Sequence, residues 1–526
     1  MTPRQRSLVG GISILAAAGL ICKVVGVLYR IPLANLIGPP GMGVYNQVFP
    51  TYNLMLAISS AGIPVAISRM VAGSLARGHA GNARRMFRIA LIMLGLLGLV
   101  SMLVMMLFSG RFAQATGTPE SKAGFMMIAP SLFFVCAMSA FRGYMQGQRR
   151  MWPTAISQLI EQVGKVGVAL PLAYAGMARG GFVLGAAGAL LGTTIAEGAA
   201  MLYMMADYLV ARPRLVREAE SDTSQPTPTK AIARELVVTA IPITIGASIV
   251  PLAGAVDSFM LVRQMKAYLP ELEALSRYGI YGLVLSLINV PTALAMAMST
   301  NLVPAISEKR ARRDHDGVKR DAATGIRLAM VVGLPSSVGM SLLAHPILTL
   351  LFGREYTPEQ LRLGADLLEI SSLTIVVFTL VQATSGILQG MRKQRIPMYT
   401  LAAGIVVKIA INYTAVNRPE INIGGAPYAS LACYILSGGL NLYYVIKITG
   451  LRWSWQETVL RPGLATLVMA LPVYLISALW GQRIGRSWLL MGLVLAGAVA
   501  LYGFAALKTG AIRRSELPFS RLRGRD

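Results

Sequence analysis

Long apolar runs fill most of the chain, and Gly, Pro and clusters of charged residues interrupt them repeatedly. A helix that crosses a bilayer needs about 20 mostly apolar residues. Dividing the chain at the interruptions predicts fourteen such helices, near 8–36, 44–75, 87–110, 123–146, 152–177, 181–210, 235–263, 278–305, 322–352, 363–390, 396–416, 424–449, 457–480 and 487–507. The pattern therefore predicts an all-α polytopic membrane protein.

The composition agrees with this prediction and removes several other classes of protein. Of the 526 residues, 55% are hydrophobic and only 14% are charged, whereas soluble proteins average about 25% charged residues. The three cysteines lie in apolar stretches and the three histidines are scattered, so the sequence predicts neither a disulfide framework nor a zinc site. The basic, then apolar segment 1–30 is followed at once by another apolar run, which favours a retained first helix over a cleaved signal peptide.

The net charge of +26 would suggest a nucleic-acid partner in a soluble chain, but here its placement favours a membrane orientation. The two termini and every second connection, counted with the span ends beside them, together hold 30 Lys and Arg residues, and the remaining connections hold 10. Lys and Arg concentrate in the cytoplasmic loops of membrane proteins. Both termini are therefore predicted to be cytoplasmic, with the chain in the cell membrane and no nucleic-acid partner.

An internal duplication predicts the organisation of the chain. The sequence QGQRR at 146–150 is echoed by QGMRK at 389–393, and Lys165 maps onto Lys408 at the same displacement of 243 residues. Six spans per repeat is an even number, so the repeats should be parallel. We predict an N-terminal lobe (1–210, spans 1 to 6), a cytoplasmic linker (211–234), a C-terminal lobe (235–450, spans 7 to 12), and a C-terminal helix pair with a basic cytoplasmic tail (451–526).

Charged residues inside the spans are the candidates for function, because a charge at mid-bilayer costs about 2.5–3.5 kcal/mol on insertion scales. Gly19, Lys23, Gly26 and Arg30 are spaced by four, three and four residues, which stacks them on one face of the first helix. Lys23 lies roughly 22 Å along that helix, too deep for a residue of the helix end. Arg30 is either a cavity residue or a side chain that reaches the outer interface.

A pair of charges also lies in the middle of the fifth span. Glu161 and Lys165 are four residues apart, so they either neutralise each other or face a cavity. Lys408 repeats Lys165, but Gly404 stands where an acidic partner would be, so this cation needs another counter-charge, and an anionic ligand is one. Arg142 is expected to reach the membrane interface from its helix end.

Glu197 in the sixth span and Asp257 in the seventh are the acidic candidates. Each could bind a coupling proton or sodium ion, or serve as the structural partner of a basic residue on a neighbouring helix. The chain has no Walker A sequence, nucleophile elbow or HExxH motif, so it lacks the sequence marks of an ATP-driven pump or a covalent catalyst. Cations from two repeats predict a non-enzymatic carrier of an anionic substrate that works by alternating access, without a cofactor.

Three segments carry a resemblance to a known family: LIGPPGMGVYN (36–46), AGIPVAISRMVA (61–72) and FRGYMQGQRRMWPTAISQLIEQ (141–162). They resemble the polysaccharide-lipid flippases of the multidrug/oligosaccharidyl-lipid/polysaccharide exporter (MOP, MATE-like) superfamily. Within it, the chain is most similar to the stage V sporulation protein B and MurJ-type lipid II flippase group.

This resemblance implies two six-helix lobes around a central cavity, in which basic residues of the first two helices meet a lipid-linked diphosphate. Those positions are Lys23, Arg30 and Arg69 here, and Asp257 stands where the seventh helix commonly carries an acid. MurJ-type proteins of proteobacteria have arginine in place of Lys23 and one residue fewer before the second cation, so a rigid bidentate clamp at this position is not expected. The last two helices, within 457–507, would form a groove for a polyprenyl tail.

The function expected on this basis is a flippase for an undecaprenyl-diphosphate-linked sugar, such as a lipid II-like cell-wall precursor, in growth or sporulation. It would be driven by the membrane potential or by a proton or sodium gradient. Its substrate-binding candidates are Lys23, Arg30, Arg69, Lys165 and Lys408. Two alternatives stay open: a cation-coupled multidrug antiporter of the same superfamily, and a non-transporting scaffold for cell-wall or spore-cortex synthases.

Overall fold

The structure, a computed structural model, describes residues 3–512, apart from the side chains of residues 3–17, Leu20 and Lys23. The predicted basic tail beyond residue 512 lies outside the described residues. Within residues 3–512 the regular secondary structure is entirely helical. The α-helices are α1 (Pro3–Ser60), α2 (Ile63–Ala76), α3 (Ala80–Leu107), α4 (Ser109–Ala115), α5 (Lys122–Gly147), α6 (Trp152–Gly164), α7 (Leu170–Glu220), α8 (Thr229–Met265), α9 (Glu271–Ala311), α10 (His315–Leu342), α11 (Ala344–Phe352), α12 (Pro358–Gly390), α13 (Arg395–Ala415), α14 (Gly425–Thr449), α15 (Arg461–Ile484) and α16 (Trp488–Lys508).

Twelve helical stretches of the described chain are long and apolar enough to cross a membrane. Two of them, Val24–Ala76 with 53 residues and Trp152–Glu220 with 69 residues, are about 80 and 100 Å long at 1.5 Å per residue. Since a hydrocarbon core is about 30 Å thick, each is long enough to cross it twice. Counting both as double crossings gives the fourteen predicted spans, and the predicted fold class is confirmed.

Glycines break both of the double-length stretches. Gly38 has a φ of 67° inside α1 and is followed by two prolines, and Gly181 has a φ of 66° inside α7. Glycine adopts positive φ without the steric penalty that a Cβ brings. A side chain at Gly188 would strike the carbonyl of Leu172, and one at Gly192 would strike Ala169. The two arms of α7 therefore pack against each other as a close helical hairpin.

The chain forms two compact units, Met1–Gly279 and Ile280–Asp526. The first contains α1 to α8, so the predicted seventh span, α8, packs within it. A side chain at Gly62, at the break between α1 and α2, would strike the carbonyl of Ala240 in α8. The lobe and linker boundaries drawn from the internal repeat stay a prediction.

The two repeated motifs occupy equivalent local environments, one in each unit. Gly147 ends α5 and packs against Val71 and the Ser68 carbonyl of α2, and Gly390 ends α12 and packs against Ile306 and the Val303 carbonyl of α9. Two residues after each glycine an arginine adopts a left-handed conformation, Arg149 with φ 63° and Arg392 with φ 56°. The QGxR motif thus ends a helix in the same way in both halves of the chain.

Within the second unit, the last two helices, α15 and α16, pack on α10 through apolar contacts and two hydrogen bonds. Tyr502 of α16 donates its hydroxyl to the carbonyl of Val331 at 2.7 Å, and Ser477 of α15 donates to the carbonyl of Leu342 at 2.9 Å. Both acceptors belong to α10. These bonds satisfy polar groups that would otherwise face hydrocarbon, and they fix the helix pair against its neighbour.

Candidate functional site

Buried charged groups of the first unit meet where α5, α6 and α7 pack together. Arg142 on α5 donates to the Ser157 hydroxyl at 3.0 Å and to Glu161 Oε1 at 2.8 Å. Lys165 Nζ lies 4.0 Å from Glu197 Oε1, and the side chain of Glu197 is only 6% exposed. The two charges predicted as a local pair, Glu161 and Lys165, thus each contact a charge on a different helix.

A π-helical turn at Lys165–Ala169 separates α6 from α7. Such turns widen a helix and are frequent at functional sites. The turn begins at the lysine that contacts Glu197, whose other carboxylate oxygen accepts a hydrogen bond from the hydroxyl of Tyr52 at 3.0 Å. Tyr52 is buried in α1, so this contact ties α1 to α7 through the carboxylate.

The first arm of α1 lies beside this cluster. A side chain at Gly26 would come to 3.4 Å from the side-chain oxygen of Gln162, and Cys22 lies within electrostatic range of Arg142, Glu161 and Lys165. This face of the helix also carries Lys23 by its register, one turn from Gly26, but the side chain of Lys23 lies outside the described residues.

Arg30 lies half-buried further along the same helix face. Its guanidinium stands 5.6 Å from the ring centroids of both Tyr45 and Phe49, and those two rings stack on each other at 5.3 Å. Cation–π contacts of this kind hold a guanidinium in place. Arg30 is therefore an orientated cation of the first unit.

Asp257 lies in α8 and is 3% exposed. Its neighbour in sequence, Ser258, shares a hydrogen bond of 3.2 Å with Thr51 of α1. Asp257 and Arg30 both lie within electrostatic range of Tyr278. The Asp257 carboxylate of the predicted seventh span and the Arg30 guanidinium of the predicted first span thus both lie around Tyr278.

The two remaining candidates, Arg69 and Lys408, lie on other helices, α2 and α13. Arg69 is exposed on α2. Lys408 is 5% exposed on α13 of the second unit. About two turns earlier on the same helix, Thr400 donates to Asn441 at 2.7 Å, and Asn441 donates to Ser385 at 3.3 Å. Gly404, one turn before Lys408, packs against the carbonyl of Cys433, so α13 and α14 approach each other closely.

Sequence reasoning missed two members of the cluster. Arg142 was expected to reach the membrane interface, but it contacts Ser157 and Glu161, because α5 and α6 are joined by the short connection 148–151. Tyr52 gave no signal, since a tyrosine in an apolar run is ordinary. Among the described residues no group of three or more His, Cys, Asp and Glu side chains could hold a metal ion.

An apolar groove of about 570 Å³ lies in the second unit where the last two helices meet α9, α10 and α11. Its walls include Leu294 of α9, Met340 of α10, and Leu495 and Val499 of α16. Four of the helices that form it, α9, α10, α15 and α16, are long and apolar enough to cross a membrane. The groove can accept a hydrocarbon chain and offers almost no polar contact.

Comparison with known proteins assigns this architecture. The family model described as "Polysaccharide biosynthesis protein" matches residues 8–309, more than half of the chain, and the model "MatE" matches residues 242–414. In Bacillus subtilis (strain 168), "Lipid II flippase MurJ" is 24% identical over 531 residues and 96% of each chain is covered. "Stage V sporulation protein B" of the same organism is 24% identical over 447 residues, with 84% of each chain covered.

Solved structures show the same fold. The inward closed conformation of "Lipid II flippase MurJ" superposes with a TM-score of 0.69 at 12% identity, covering 94% of this chain and 97% of that one. An inward-facing MATE family multidrug transporter also gives a TM-score of 0.69, at 14% identity, covering 80% of this chain and 94% of that one. The chain therefore belongs to the polysaccharide biosynthesis protein family of the MOP superfamily, whose members are membrane flippases and transporters rather than enzymes.

Proposed function

We propose that the protein carries an undecaprenyl-diphosphate-linked sugar, a lipid II-like precursor, from the inner to the outer leaflet by alternating access. The observation that carries the proposal is the apolar groove at α15 and α16. A drug exporter releases its whole substrate into water, whereas a lipid-linked sugar keeps its tail in hydrocarbon. A groove beside the last helix pair supplies a surface for such a tail.

The headgroup of this substrate bears a diphosphate, and its proposed partners are Lys23, Arg30 and Arg69. The orientation of Arg30 by two stacked aromatic rings supports its role, because a planar guanidinium held in place can bind phosphate oxygens in pairs. Lys165 and Lys408 are proposed as further cations for the headgroup. Glu161, Glu197 and Asp257 are proposed either as structural partners of these cations or as sites for a coupling ion, and the contacts of Glu161 and Glu197 with cations favour the structural role.

The electrical gradient is a sufficient source of energy for this step. A headgroup that crosses with about two negative charges gains roughly 4–5 kcal/mol per 100 mV from an inside-negative potential. A proton or sodium gradient is the other proposed source. One relative is named as a lipid II flippase and another as a sporulation protein, so the proposed transport could serve either cell growth or sporulation. Cell-wall synthases are its proposed protein partners.

The proposal is tested with two substitutions on opposite faces of one helix. Leu495 faces the groove, whereas Leu493 is 61% exposed on the other side of α16. In proteoliposomes with a fluorescent lipid II, Leu495→Trp should slow translocation about tenfold or more, and Leu493→Trp should leave it unchanged. A short-chain prenyl analogue should be moved equally by both variants, because it does not fill the groove.

Arg30→Ala should abolish translocation of both substrates, and Arg111→Ala is its matched control. Arg111 also lies over an aromatic ring, that of Phe108 at 5.1 Å, but it is exposed outside the spans. Wild-type rates for both Leu495→Trp and Arg30→Ala would contradict the proposal.

One competing function rests on a specific observation. The "MatE" model matches residues 242–414, and the fold is shared with a MATE family transporter. A multidrug antiporter would extrude a cationic dye from proteoliposomes against a proton or sodium gradient. Dye extrusion by the wild type, with no movement of lipid II, would favour this function over the proposed one.

A further inference from the structure

A second apolar groove, of about 670 Å³, lies in the first unit between α3, α8 and the break that separates α1 from α2. Its walls include Leu96 and Val100 on α3 and Val237, Ile241 and Ile245 on α8. These five side chains are between 40% and 59% exposed. The groove is therefore open at its side, and its volume lies within the usual range for ligand sites.

Basic side chains continue the groove at the N-terminal end of α8. Lys230 and Arg234 precede Val237 and Ile241 at spacings that place all four on one face of the helix. Arg85 of α3 is held at the same end, because its guanidinium donates to the Thr229 hydroxyl at 3.1 Å. This face of α8 is therefore a stripe that is cationic at its N-terminal end, at Lys230 and Arg234, and apolar further along the helix, at Val237 and Ile241.

Two acids, Asp222 and Glu235, also lie at this end of the groove, where they are outnumbered by Arg85, Lys230 and Arg234. The Asp222 carboxylate is oriented toward backbone amides, because it accepts hydrogen bonds from Gly81 at 2.7 Å and Ser224 at 2.9 Å. Glu235 is the other acid beside this end, and the helical register places it on the face of α8 opposite to the groove. The three cations Arg85, Lys230 and Arg234 therefore face outward together.

The dimensions of the stripe match one leaflet of a bilayer. From Val237 to Ile245 α8 rises about 12 Å, and one leaflet of the hydrocarbon core is about 15 Å thick. Lys230 lies about 10 Å further along the axis than Val237, at the depth of the headgroups. Basic pockets at the ends of membrane helices are sites for anionic lipid headgroups.

We propose that this groove binds an anionic phospholipid, with an acyl chain along Val237, Ile241 and Ile245 and the phosphate beside Lys230 and Arg234. The ligand is a bilayer lipid and not the transported substrate, whose tail groove lies in the second unit. The proposal is independent of the transported substrate, since it concerns binding at a site on the first unit.

The test measures binding of phosphatidylglycerol and phosphatidylcholine to the full-length protein in detergent by native mass spectrometry. The wild type should bind phosphatidylglycerol at least tenfold more tightly than phosphatidylcholine. Lys230→Gln with Arg234→Gln should remove most of this preference, because each cation near the membrane surface contributes about fivefold. Ile241→Trp, which fills the groove, should weaken phosphatidylglycerol binding without changing the surface charge.

Arg212→Gln with Arg217→Gln is the matched control, because it removes the same charge from exposed positions at the end of α7. This variant should bind phosphatidylglycerol as the wild type does. The proposal would be overturned if the control lost as much phosphatidylglycerol binding as Lys230→Gln with Arg234→Gln, or if Ile241→Trp bound phosphatidylglycerol as the wild type does. It would also be overturned if lipid II, but no other lipid, displaced phosphatidylglycerol. All four proteins can be assayed whether or not the chain moves lipid II.

Discussion

At the scale of single residues, we expect the Lys165–Glu197 contact to stabilise the first unit. Glu197→Ala removes the carboxylate that faces Lys165 and accepts from Tyr52, which leaves a cation and a hydroxyl without that partner. We expect the free energy of unfolding to fall by about 2–4 kcal/mol. Glu197→Gln keeps an acceptor for Tyr52 and should lose less.

Thermal unfolding in detergent, analysed as a double-mutant cycle, checks this expectation. Lys165→Met combined with Glu197→Gln should recover part of the loss, because no buried charge is then left alone. Glu218→Ala is the control, since its partner Arg214 is 84% exposed, and such surface pairs contribute at most about 1 kcal/mol. Equal losses for Glu197→Ala and Glu218→Ala would contradict the structural role of the buried contact.

The sequence predicted which charged residues need partners, but it did not predict which partners they contact. The depth of Glu161, Lys165 and Glu197 in apolar runs marked them as residues that need partners, and the structure provides partners for all three. The choice of partner was not predictable from spacing. The close approach of α5 to α6 decides that Arg142 contacts Glu161, and this tertiary contact has no signature in one sequence.

At the scale of elements, the segment between α7 and α8 is tied to the start of α3. Asp222 accepts from the amide of Gly81, and Asn82 donates to the Ser224 hydroxyl at 3.1 Å and accepts from the Thr227 amide at 2.7 Å. The segment is rich in Ser, Thr and Pro, which is typical of a linker. Its side chains satisfy the free amides at the helix start, so it is held against α3.

This attachment should depend on pH through Asp222. The hydrogen bond from the Ser224 backbone amide, and to a smaller extent that from Gly81, holds the pKa of the Asp222 carboxyl below its ordinary value. Because the folded pKa is lowered, the contribution is complete above the ordinary value of about 3.9 and is lost as the pH falls through the lowered value. The protection factors for hydrogen exchange at the Gly81 and Ser224 amides should therefore be high at neutral pH and fall only in that acidic range.

Asp222→Ala should remove this dependence and give both amides low protection factors at every pH. Asp316→Ala is a suitable control, because its carboxylate contacts Lys319 at 3.6 Å in the first turns of α10. Slow exchange in Asp222→Ala at neutral pH would show that the segment is held without the carboxylate.

Element boundaries were predictable where composition changes and uncertain where it does not. The predicted span 44–75 is interrupted in the structure between Ser60 and Ile63. Pro64, in the first turn of α2, has no amide hydrogen with which to continue the first helix. A tertiary contact completes the break, since the Gly62 amide donates to the Thr244 hydroxyl of α8 at 3.1 Å. By contrast, the predicted boundary at 177–181 falls on Gly180 and Gly181, where the residue type itself allows the turn.

At the scale of the whole molecule, the count of fourteen spans followed from apolar run lengths, because the bilayer fixes the length of each helix. The division into two compact units at Gly279 and Ile280 did not follow from the repeat. Sequence similarity records an ancestral duplication, whereas compactness depends on which helices pack together. The packing of α8 with α1 is such a contact.

The orientation of the chain in the membrane is a prediction of the charge count alone and can be tested with two single cysteines. The native Cys136 and Cys433 are buried and Cys22 is half-buried, so a membrane-impermeant thiol reagent should give a low background. Thr223→Cys lies in the basic connection between α7 and α8, and Arg486→Cys lies between α15 and α16. Because basic connections are retained in the cytoplasm, intact cells should label only Arg486→Cys, and Thr223→Cys should react only after permeabilisation. The opposite pattern would place both termini outside and would contradict the orientation predicted from the charge count.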